Sequence, residues 1–118
     1  MKLKLETLVS SVTPLRTLFS KEIPVSVGFH ISKTVKAIED NIKIYDESRE
    51  ALIKKYGTEN EDGTYTVPPK AVKKFEAEHR ELLETEVDLQ ADQISIEKLG
   101  DIKMSASEIY TLNWLLIE

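Results

Sequence analysis

The chain has 118 residues, a formal net charge of −5 and no cysteine. That length suits one domain, able to bury roughly two-thirds of its unfolded surface. The missing cysteine excludes disulfides, thiolate-held zinc, iron–sulfur clusters and a thiol nucleophile, and the acidic excess disfavours general nucleic-acid or acidic-membrane binding.

Charged residues make up 31% of the chain and hydrophobic residues 41%, the balance of a charge-rich helical domain rather than a disordered tail. No apolar run approaches the ~18 residues of a membrane helix. Met1-Lys2-Leu3-Lys4-Leu5-Glu6 is charged and lacks the apolar stretch of a signal peptide, so the chain is expected to stay in the compartment where it is made.

Lys2-Leu3-Lys4-Leu5 alternates like a short strand. Leu5, Leu8, Val9, Val12, Leu15, Leu18 and Phe19 then recur at helical spacing. Pro14 interrupts them, and a proline inside a helix removes a hydrogen bond and crowds the preceding turn. A helix over about 6–21 is expected, kinked or split at Pro14, and ended by Ile23-Pro24.

Ser26 is a plausible N-cap for a second helix over about 27–56. Ile31, Val35, Ile38, Ile42, Tyr45, Arg49, Leu52 and Tyr56 form a heptad seam that only Arg49 breaks. Gly57 is expected to stop this rod of about 45 Å in a left-handed conformation.

Residues 57–69 read as a loop turning at Asp62-Gly63, with Thr64-Tyr65-Thr66-Val67 as a brief extended piece. Pro68-Pro69 opens a third helix. Its seam of Val72, Phe75, His79, Leu82 and Glu86 has the period of the second, so the two should fold back as an antiparallel hairpin. Beyond Glu86 the alternation of Val87-Asp88-Leu89 and Ile94-Ser95-Ile96-Glu97 suggests short strands at about 87–90, 94–97 and 101–103. Ser105-Ala106-Ser107-Glu108 is a capping box, opening a short amphipathic helix of Ile109, Leu112, Leu115 and Leu116 with Trp114 available to pack or dock.

The expected fold is mainly α with a small β element (α+β). One domain spans 1–118: an N-terminal helix in 1–25, a long helical hairpin in 26–86, and short strands with a C-terminal helix in 87–118.

Motifs for chemistry fail on inspection. Asn60-Glu61-Asp62-Gly63 resembles part of a calcium loop, but the position that needs a bidentate glutamate is Pro69. Glu76-Ala77-Glu78-His79 is a single Glu-x-x-His, whereas di-iron bundles use two with two further inward carboxylates. His79 is expected in the hairpin seam and His30 in the first turns of the second helix. No nucleophile elbow or phosphate-binding glycine loop is present. No catalytic, cofactor-binding or metal-binding residue is nominated, and no cofactor is expected.

Residues 76–88 set Arg80 against Glu76, Glu78, Glu81, Glu84, Glu86 and Asp88, a balance of −5 that suits a solvated face or a docking face for a basic partner. Trp, Tyr and Arg dominate binding hot spots. The candidate interface residues are therefore Tyr45, Arg49, Tyr56, Glu78, Glu81, Tyr110 and Trp114.

The helix from Leu5 to Lys21, Glu22-Ile23-Pro24-Val25, the helix ending Arg49-Glu50-Ala51-Leu52-Ile53-Lys54-Lys55-Tyr56-Gly57, the acidic glycine-containing insert and Phe75-Glu76-Ala77-Glu78-His79-Arg80-Glu81-Leu82-Leu83-Glu84-Thr85-Glu86-Val87 together form a pattern. It resembles small proteins of unknown function encoded by tailed bacteriophages and prophages of Gram-positive bacteria. The resemblance implies a viral context, in the host bacterial cytoplasm or the virion, and carries no reaction and no site residues with it. The expected function is non-enzymatic protein–protein contact, in virion structure or assembly. The alternative is inhibition of a host defence protein or nuclease. The expected partner is a protein: a second copy in a homo-oligomer, a phage structural protein or a host protein.

Overall fold

A computed structural model describes residues 1–118. In chain order the elements are β1 (Lys2–Lys4), α1 (Leu5–Phe19), α2 (Val25–Tyr56), β2 (Thr58–Glu59), β3 (Tyr65–Thr66), α3 (Pro69–Leu83), β4 (Glu86–Asp88), β5 (Ile94–Ser95), a 3-10 turn (Ile96–Leu99), α4 (Ala106–Thr111) and β6 (Leu116–Ile117). The fold is mainly α, with the β structure confined to three two-stranded ladders.

Leu5, Leu8, Ser11, Leu15 and Leu18 give α1 one buried face. Of the two expected outcomes at Pro14, kink or split, the split does not occur: the helix is one segment from Leu5 to Phe19. Proline at this position withdraws the N–H that would meet the Ser10 carbonyl. Ser10 is exposed, so water can take that carbonyl.

α2 is 32 residues long, about 48 Å at 1.5 Å per residue, and accounts for most of the molecule's 51 Å length. It starts at Val25 behind Pro24, and Ser26 does not cap it. The seam is divided between two partners. Val35, Ile38 and Ile42 line a crevice with Val12 and Leu15 of α1. α3 lies along the C-terminal part of α2, where the Tyr45 hydroxyl meets His79 Nε2 at 2.8 Å and Lys55 meets Glu78 at 3.1 Å. The seam expected to face α3 along its whole length is thus corrected: Ile38 and Ile42 face α1.

α2 ends at Gly57, in extended backbone (φ −92°, ψ 163°) rather than the left-handed stop expected. The need for glycine is steric. A Cβ there would lie 2.4 Å from the Ile53 carbonyl oxygen, which already accepts the Gly57 N–H at 2.7 Å. β2 and β3 then pair antiparallel around a turn in which Gly63 has φ +86°.

The remaining strands tie distant segments together. β1 pairs antiparallel with β4, Leu3 opposite Val87. β5 pairs in parallel with β6, Ile94 opposite Leu116. No strand forms at 101–103; Gly100 turns the chain at φ +61° and the Ile102 N–H returns to the Leu99 carbonyl. Leu89, Ile94, Leu99, Leu112 and Leu115 complete the core. The capping box of α4 is complete, with Ser105 and Glu108 satisfying each other's backbone N–H.

Candidate interaction surface

The nominated aromatic residues divide between interior and surface. Tyr45 is only 8% exposed, and its hydroxyl is engaged by His79, whose ring stacks on Phe75 at 5.9 Å. Its place is inside the hairpin rather than on an interface. Trp114 is half-buried, with Nε1 donating to Ser11 Oγ at 2.9 Å. Ser11 in turn donates to the Thr7 carbonyl at 2.6 Å, so a fully buried hydroxyl is satisfied twice. Tyr110 stands 79% exposed on α4.

Tyr56 and Glu78 meet at the α2–α3 contact. The Tyr56 hydroxyl and the Lys55 ammonium hold the Glu78 carboxyl below its ordinary range, and Glu78 raises both partners in return. Arg49 is exposed and takes part in none of the molecule's ion pairs. Glu81 is exposed. Arg80 leaves α3 to bond Glu6 of α1 at 3.0 Å, which raises the guanidinium's proton affinity further.

A groove of substantial size lies elsewhere. One wall is the N-terminal half of α2, with Ser26, Phe29, His30, Lys33 and Thr34. The other is the segment from Leu89 to Asp92, with Met1 at one end. The groove measures about 570 Å³, within the range of ligand and side-chain pockets. Buried Leu89 and Thr34 and half-buried Ala91 lie at its base. His30 Nε2 bonds the Asp92 carbonyl at 2.9 Å and joins the two walls. The Met1 amine bonds the Asp88 carboxylate at 3.0 Å and the Leu89 carbonyl at 3.1 Å.

Phe29 stands at the rim, 68% exposed, with Lys33 Nζ 5.5 Å from its ring centre. Val25, one turn earlier, is 89% exposed. Both residues fall outside the heptad frame of Ile31 to Tyr56, so that periodicity does not mark them. Their spacing of four on a helix, off the seam, is the signal that marks a second apolar edge.

No group of three or more His, Asp or Glu side chains is arranged to hold a metal ion. No helix is long and apolar enough to cross a membrane. Compared with family models, curated proteins and solved structures, the chain matches none.

Proposed function

We propose that this is a non-enzymatic protein that acts by protein–protein contact in a phage or prophage setting, as part of virion structure or assembly. The exposure of Val25 and Phe29 beside the groove carries this reading. An exposed aromatic flanked by an apolar neighbour, a cavity and a polar rim has the composition of an interface anchor. The viral setting rests on the sequence resemblance.

One observation favours a second reading, inhibition of a host nuclease or defence protein. Glu76, Glu81, Glu84, Glu86 and Asp88 all stay exposed along α3 and β4. Such a stripe complements a basic groove electrostatically.

Affinity capture from phage-infected or prophage-induced cells tests both, with the parent chain and the Phe29→Asp variant as baits. Recovery of phage structural proteins by the parent and not by the variant is the expected result. Recovery of a host nuclease, insensitive to Phe29→Asp and lost on reversing Glu81 and Glu84 to Lys, would favour the second reading. Absence of any stoichiometric partner from both baits would overturn both.

A further inference from the structure

We infer that the Phe29 groove is a self-complementary interface through which two copies of this chain form a two-fold dimer. The inference rests on the protein-contact reading above and names the partner. In a two-fold contact the same patch meets itself, so it must carry both a projection and a recess, and both signs of charge. This patch does. Val25 and Phe29 project from α2, and the recess beside them is based on Leu89 and Ala91.

The charges are similarly paired. Lys33 stands on the helix wall and takes part in no ion pair; its ammonium lies over the Phe29 ring. Asp92 is exposed on the opposite wall, and only its backbone carbonyl is engaged, by His30. Asp88, further along that wall, is already neutralised by the Met1 amine. Lys33 and the Asp92 carboxylate are thus the two uncommitted charges of the groove, one on each wall. A two-fold axis near Phe29 seats each ring in the recess of the other copy and sets each Lys33 against Asp92 of the second copy.

Mixed walls also select against other occupants. A strongly acidic peptide would face Asp92, and a strongly basic one would face Lys33, and like-charge contact is a standard source of rejection. A second copy brings the opposite charge to both walls. It also confines the repulsion expected between two chains of −5 to surfaces away from the contact.

Sedimentation velocity and light scattering on the full chain, from about 1 to 100 μM, test the inference across dissociation constants typical of modest interfaces. The parent chain should pass from monomer to dimer over this range. Phe29→Asp should remain monomeric, and Val25→Asp should weaken the dimer; circular dichroism melts confirm that each variant is folded. Lys33→Asp and Asp92→Lys should each weaken association by about tenfold or more. Combining them should restore it, because the exchanged charges meet again across the axis. A parent chain that stays monomeric, a dimer indifferent to Phe29→Asp, or a double variant no better than either single one would overturn the inference. A monomer that still captures another protein in a Phe29-dependent way would sink the dimer and leave the protein-contact reading standing. A monomer without such capture would sink both.

Discussion

Two residues carry structural roles that their neighbours cannot take over. Ser11 is fully buried and accepts the indole N–H of Trp114, the chain's single tryptophan. Ser11→Ala leaves that N–H without a partner at a half-buried site, a loss of about 1–3 kcal/mol. Because Trp114 is the sole indole, its fluorescence in a urea titration reads the loss directly. An unchanged midpoint would show that the bond does not form. Gly57 is constrained by space rather than by φ. A methyl there meets the Ile53 carbonyl, so Gly57→Ala must disturb the last turn of α2 or the β2–β3 hairpin. The expected cost is about 1–3 kcal/mol, read as a lowered melting temperature. A substitution argued from a left-handed glycine would predict rescue by asparagine; extended backbone at Gly57 predicts none.

Elements were legible in the sequence where their own residues specify them, and obscure where a distant partner does. α2 and its buried seam follow from the heptad spacing, and the start of α4 from its capping box. The division of the seam could not be read, because Ile38 and Tyr45 carry the same pattern yet meet different helices. β6 is obscure because Leu116 continues the helical spacing of Ile109, Leu112 and Leu115, whereas the helix stops at Thr111 and Leu116 and Ile117 become a strand only through pairing with β5. The candidate surface fared worse. Tyr45 and Trp114 have hot-spot chemistry, but a buried hydroxyl or indole that finds a partner inside the chain is equally at home in the core.

α3 is held less deeply than α1 or α2. None of its residues is fully buried, and its attachment depends on half-buried Phe75 and Leu82 together with polar contacts. Tyr45→Phe removes the hydroxyl that bonds His79, at a cost of about 1 kcal/mol. Amide exchange should quicken in α3 while remaining slow in α1. Acid should act on the same joint. Glu78 has its proton affinity lowered in the fold, so its stabilisation is fully present above the unfolded carboxylate range of about 4.3 and is lost as pH falls through the lower folded value. Glu78→Gln should abolish the acid-dependent quickening of exchange in α3. Retention of that dependence would assign it to other carboxylates, among them Asp62 and Glu108, which the Thr64 hydroxyl and the Ser105 N–H hold low in the same way.

At the scale of the whole molecule, α2 is a beam shared by two unequal assemblies. Its N-terminal half is enclosed by α1 and the C-terminal segment, where nearly all the fully buried residues lie, among them Leu8, Leu15, Leu18, Ile31, Leu112 and Leu115. Beyond Ile42, which still faces α1, α2 carries α3 and the β2–β3 hairpin. The ladders β1–β4 and β5–β6 close the first assembly by pairing residues far apart in sequence, so its contacts must form together or not at all. A charge placed in that assembly should therefore unfold the whole chain, whereas a defect in the arm should open the arm alone. Ile38→Asp buries an unpaired carboxylate between α1 and α2 and should cost about 3 kcal/mol or more. Far-UV circular dichroism and Trp114 fluorescence should then fall in one transition, at lower denaturant than in the parent. Leu82→Ala should instead leave the Trp114 transition near its parent value while speeding exchange throughout α3. If Leu82→Ala shifted the Trp114 midpoint as far as Ile38→Asp does, arm and core would be one cooperative unit, and α3 would be a structural wall rather than a separable arm.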